Sequence, residues 1–141
     1  MQTLHSIADS IGGMMRTQLV LILVLCGFVA IPVLAHHSFD AEYDSTKTLT
    51  IVGYVTKVDW VNPHAFVYLD SKDDSGTTRS FRIEMGPPYA LQRNGWKKDT
   101  LKVGDKITIE NAALAKDGSN TAGSLPTTSM TLASGQKMVM R

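Results

Sequence analysis

Residues 86–95 read Gly86-Pro87-Pro88-Tyr89-Ala90-Leu91-Gln92-Arg93-Asn94-Gly95, and they decide between two β architectures. The Gly-Pro-Pro run ends the strand before it, because proline lacks the N–H that a ladder needs and restricts its neighbour. Proline suits the start of a helix and glycine the position just past its end, so Tyr89–Asn94 is predicted as a short helix. A short helix between the third and fourth strands of a small, mainly β domain points to an OB-type barrel, closed or partly open, of five to six strands. A β-sandwich is the alternative, since similar short strands and turns would also build one.

Upstream of this stretch, residues 48–61 are rich in Thr, Val, Ile, Tyr and Trp, which fit a pleated, half-buried surface. Leu49, Ile51 and Val55 share one alternation phase, whereas Val58 and Trp60 occupy the other. A switch of phase inside one run predicts a bulge near Thr56-Lys57, with Gly53 easing the curvature. Asn62-Pro63 then breaks the strand. A second strand is expected over residues 64–69, a hairpin turn at Asp73-Asp74-Ser75-Gly76, and a third strand over 78–85 with Phe81, Ile83 and Met85 on one side. Downstream, Leu101 to Asp105 is a turn into a fourth strand, 106–112. Residues 115–126 are polar and read as a loop, 127–132 as a fifth strand, and Met138 and Val139 as part of a short last one.

The N-terminal third is of another kind. Leu19 to Ile31 is an apolar run of thirteen residues preceded by Arg16, short of the roughly 20 that cross a bilayer. It has the length of a secretory h-region, and Val33 and Ala35 supply the small residues of a cleavage site. Residues 1–35 are therefore read as a signal peptide, with 1–13 as a gene-model extension ahead of Met14 or Met15; an uncleaved anchor is the alternative. Cys26 is a poor lipidation site, because Leu25 precedes it and the apolar run continues past it. Cleavage after Ala35 would leave residues 36–141 as one OB-like β domain in the periplasm or medium, with no stable membrane span. The one cysteine would leave with the signal, so that domain would fold without disulfides. A formal net charge of +1 gives no general attraction to nucleic acid, and none is expected as a partner.

Several short stretches carry a family resemblance: Ala35-His36-His37-Ser38-Phe39, Gly53-Tyr54-Val55, Trp60-Val61-Asn62-Pro63-His64, Leu91 to Trp96, Leu101 to Asp105, Ala115 to Ser119 and Ser134 to Lys137. In these the chain resembles a family of small exported bacterial proteins classed as a domain of unknown function. That family's members open with a signal peptide and a mature Ala-His-His-Ser-Phe junction. The resemblance implies an exported single-domain protein with no established activity, and it supplies no catalytic residues. The long N-terminal extension departs from the pattern.

Cleavage after Ala35 would make His36 the mature terminus. Its α-amine, with a pKa of about 7.7–8.0, is partly deprotonated near neutrality, and amine and imidazole together can chelate one metal ion. A second imidazole would complete a T-shaped set of three nitrogens, an arrangement that suits copper. His64, after the proline break, is the better second ligand; His37 is the third candidate. The competing reading is a polar, solvated His-His pair at a frayed terminus, with His64 bonded to a backbone carbonyl. Asp40, Glu42 and Asp44 could support a metal site or simply form an acidic segment. Trp60, Arg93, Trp96 and Lys97 are candidates for a ligand face through pairing and stacking, against a plain solvated basic surface.

The sequence has no Gly-rich phosphate loop, no G-x-S-x-G elbow, no H-E-x-x-H pair and no cysteine nucleophile in the expected mature domain. The expectation is a periplasmic binding module rather than an enzyme, taking copper through His36 and His64. The alternative is a metal-free module that holds a small ligand or a periplasmic protein on its barrel face. An oxidative copper activity is the minor enzyme option.

Overall fold

Strand β1 (Tyr43–Asp59) is long enough to belong to two walls at once. It pairs antiparallel with β2 (Phe66–Lys72) through its C-terminal part and with β4 (Lys106–Ala115) along most of the rest. The bend that permits this falls where the phase of the sequence changes: the register against β2 slips between Val55 and Lys57. Before the slip Ile51 and Val55 point into the core; after it Val58 and Trp60 pack against it. A bulge leaves one residue unpaired and sharpens strand twist, which lets a short sheet curl into a barrel. Gly53 is required by contact, because a Cβ there would sit 2.5 Å from the Asp70 carbonyl oxygen.

The structure is a computed structural model and describes residues 39–141. Residues 39–42 are helical and lead straight into β1. β2 turns into β3 (Thr78–Glu84) through the expected hairpin. There the Asp73 carboxylate accepts the N–H groups of Ser75 and Thr77, each at 3.0 Å. The remaining elements are α1 (Pro88–Arg93), β5 (Thr121–Thr131) and β6 (Lys137–Val139). Among the described residues, no helix is long and apolar enough to cross a membrane.

The strand order is β3-β2-β1-β4-β5-β6, and β3 also pairs with β5. That last pairing is parallel, from Arg82 opposite Thr121 to Glu84 opposite Gly123, and it closes a five-stranded ring. Ring closure through β1, β2, β3, β5 and β4 makes the domain a barrel of OB type; two separate packed sheets are not formed. The interior is filled by Val67, Leu69, Ile83, Ile107, Ile109, Ala112 and Met130, all fully buried. Helix α1 plugs one end of it. Its Leu91 is buried, the carbonyl of Leu91 accepts the N–H of Trp96 at 3.0 Å, and Gly95 adopts the left-handed φ of +87° expected of a helix-terminating glycine.

Several boundaries differ from expectation. β1 opens at Tyr43, ahead of the run read from residue 48, and ends at Asp59. The strand expected to open at His64 begins at Phe66, so His64 lies in the β1–β2 loop behind a cis Asn62–Pro63 bond. The polar stretch read as a loop over 115–126 is mostly strand: β4 runs to Ala115 and β5 starts at Thr121, leaving only 116–120 between them. The Ala, Gly and Ser at 122–124 have a packing role. A Cβ on Gly123 would lie 2.6 Å from the Phe39 ring and 2.8 Å from the Tyr43 ring. Small side chains let β5 pass beneath those rings and reach β3.

Candidate functional site

Glu84 closes β3 on its outward phase, between the buried Ile83 and Met85. It stands opposite Phe66, the first residue of β2, so the preceding loop brings His64 beside it. Tyr43 opens β1 and is buried, its ring 4.8 Å from that of Phe39. These three side chains converge. The Tyr43 hydroxyl donates to Glu84 Oε2 at 2.7 Å, and His64 Nδ1 is paired with Glu84 Oε1. The Glu84 backbone is held as well, since Ser124 Oγ donates to its carbonyl oxygen at 2.6 Å.

The electrostatics of the group follow from this geometry. A carboxylate only accepts, so Nδ1 of His64 must carry the proton in this contact. Nε2 has no hydrogen-bond partner among the described residues. Glu84 is 13% exposed at its side chain and His64 43%, so the acceptor is nearly enclosed while the imidazole reaches solvent. Burial pushes the Tyr43 phenol well above its ordinary pKa, and the bond to Glu84 and the carboxylate's charge push it further. The phenol is thus a fixed donor at neutral pH. An imidazole oriented through Nδ1 by a carboxylate, with Nε2 open, is the arrangement that outer-shell carboxylates impose on metal-ligating histidines. It also suits proton transfer.

Of the residues singled out in the sequence, His64 is the one the structure places in this cluster; His36 and His37 lie outside the described residues. Among the described residues, no group of three His, Cys, Asp or Glu side chains is spaced to hold a metal ion. Trp96 is a core residue, 2% exposed, with its indole N–H donated to the Val139 carbonyl at 2.7 Å. Trp60 is partly buried against the same core. Trp60, Trp96 and Lys97 do border one crevice, but it is too narrow to admit a water molecule. Arg93 is exposed, its guanidinium 5.8 Å from the Tyr89 ring. The four do not form an open face.

Glu84 and Tyr43 are what the sequence reading missed as partners of His64. Glu84 looks like any outward polar residue of an alternating strand, and 41 residues separate it from Tyr43. The one available signal was its position two residues before Gly86-Pro87, at the end of a strand that must face the Asn-Pro-His turn.

The sequence profile of a family of unknown function, DUF6152, matches residues 23–124. The chain belongs to this family. The matched stretch takes in the Ala35-His36-His37 junction, Tyr43, the Trp60 to His64 motif and Glu84, and ends before Ser134 to Lys137. No curated protein and no solved structure matches the chain. Membership in DUF6152 assigns no activity, so the chemistry rests on the cluster itself.

Proposed function

We propose that this DUF6152 chain is an exported metal-binding module, in which His64 Nε2 and the amine and ring of a terminal His36 hold one copper ion. His37 is the further candidate ligand. The observation that carries the reading is the fixed imidazole: Glu84 holds Nδ1, Tyr43 holds Glu84, and Nε2 is left without a partner among the described residues. Three nitrogen donors suit Cu(II), which leads the divalent affinity order. Export rests on the short apolar run of residues 19–31 and the small residues Val33 and Ala35.

Intact-mass measurement of protein recovered from the periplasm tests the terminus, and a terminus other than His36 removes the amine ligand. Copper titration of the correctly processed protein then tests the site. His36→Ala and His64→Ala should each weaken binding by more than the roughly 10- to 100-fold expected when only an outer-shell partner is lost. A leading Met or tag should mimic His36→Ala. Copper binding that is unchanged in both variants would sink the metal reading.

A further inference from the structure

We propose that the groove between the start of β1, the end of β3 and the β4–β5 loop binds a small hydroxy-carboxylate such as a uronic acid, anchored by Arg82. The groove shares Tyr43 with the His64 cluster but does not rest on the metal reading. The groove has a volume of about 400 Å³ and is lined by Glu42, Tyr43, Arg82, Lys116, Ser119 and Thr121, among others. Ligand pockets run from about 300 to 1,000 Å³, so a single sugar-sized molecule fits. The place also matches the fold: the loop between the fourth and fifth strands flanks the ligand face of OB barrels, some of which take oligosaccharides.

Arg82 is prepared in a way that three other strand cations are not. Lys57 is paired with Asp59, Arg79 with Asp73 and Lys137 with Glu110. Among the described residues, Arg82 has no carboxylate within ion-pair distance and its guanidinium donates no hydrogen bond. It is nevertheless held in place. The guanidinium carbon lies 3.9 Å from the Phe66 ring centroid, and the Arg82 backbone N–H is bonded to the Asn120 carbonyl at 3.0 Å. A planar fork already stacked on an aromatic ring loses little freedom on meeting a carboxylate, and it matches that group with two parallel bonds.

The rest of the lining selects the ligand. Lys116 is engaged with the Asp40 carbonyl oxygen, and the Asp117 carboxylate accepts the Ser119 N–H at 2.9 Å, so both serve to shape the wall. Glu42 and Asp117 oppose a multiply charged anion more strongly than a single carboxylate, which meets Arg82 at the smaller penalty. The hydroxyls of Ser119 and Thr121 and the Glu42 carboxylate suit a molecule that carries hydroxyl groups beside its acid. A free sugar acid and the acidic end of an oligosaccharide share that chemistry.

The test uses the exported protein with a metal chelator present, and D-glucuronate as the probe, followed by calorimetry and by amide shifts. Saturable binding is expected, with shifts centred on residues 82 and 115–121. D-Glucose should bind much more weakly. Arg82→Gln should weaken glucuronate binding roughly 10- to 100-fold, as for loss of hydrogen bonds to a charged group. Arg82→Lys, which keeps the charge and loses the fork and the stack, should weaken it as well. An oligosaccharide whose terminal uronic acid has been reduced to the alcohol should behave like glucose. Three results would each overturn the proposal: no saturable glucuronate response, glucose binding as tight as glucuronate, or full retention in Arg82→Lys. Thermal unfolding of both variants, expected to match the parent because the side chain is exposed, separates loss of the site from loss of the fold.

Discussion

Two adjoining regions of the barrel, around α1 and around Glu84, use their polar groups differently. Around α1, aromatic and amide groups are spent on the chain itself. The Trp96 indole N–H goes to the Val139 carbonyl and the Asn94 amide to the Arg141 carbonyl. Leu91, Met138 and Met140 fill the space between. Around Glu84, the Tyr43 and Glu84 side chains are satisfied, but their bonds converge on a histidine that still reaches solvent. A tryptophan beside arginine and lysine therefore says little about ligands until the partners of its polar atom are known. What separates a structural cluster from a candidate site is whether hydrogen-bonding capacity remains after folding.

The largest test of this contrast is Trp96→Ala, which removes a buried aromatic and orphans the Val139 carbonyl. It should cost about 3–5 kcal/mol in urea or thermal unfolding, while Arg93→Ala and Lys97→Ala stay within about 0.5 kcal/mol of the parent. Trp96→Phe keeps most of the packing and should still fold, with copper and glucuronate binding unchanged. A binding defect in folded Trp96→Phe would break the division between the two regions.

Next in size is Gly123→Ala. The added methyl meets the Phe39 and Tyr43 rings at under 3 Å, so β5 or both rings must shift. Overpacking of this kind costs about 1–3 kcal/mol. Because Tyr43 holds Glu84, copper affinity should fall together with stability. A purely structural effect would leave affinity intact in the folded fraction.

The fold was legible where side-chain chemistry matches local geometry. Prolines and glycine framed α1, and the change of phase at Thr56-Lys57 located the bulge in β1. The start of β5 was hidden, because Gly123 answers to the rings of Phe39 and Tyr43, and composition alone reads the stretch as loop. The site was half legible for the same reason. His64 stands out as a rare residue after a proline break, whereas Glu84 acquires its role only when closure of the barrel sets β3 beside the start of β1.

Glu84→Gln sharpens the comparison with a smaller change. The amide keeps the shape and loses the charge, so His64 loses its carboxylate acceptor. Stability should fall by about 1–3 kcal/mol, as for a hydrogen bond to a charged group. Copper affinity should drop roughly 10- to 100-fold, the usual penalty for an outer-shell partner. If stability falls and copper affinity does not, the Glu84–His64 pair is a structural strut and the two regions are alike after all.

The subtlest test is alkaline. The fold raises the Tyr43 pKa above its ordinary value of 10.0, chiefly by burial and then through its bond to Glu84. A group whose folded pKa is raised contributes fully below its unfolded pKa and loses that contribution as pH climbs toward the folded value. The domain should therefore lose stability progressively above about pH 10. Tyr43→Phe removes the titration and should flatten that limb, at a cost near neutrality of about 1 kcal/mol for the lost bond. An alkaline limb as steep in Tyr43→Phe as in the parent would mean that the phenol is not locked to Glu84. The carboxylate would then be free to turn, and with it the imidazole that distinguishes this cluster from the groups around α1.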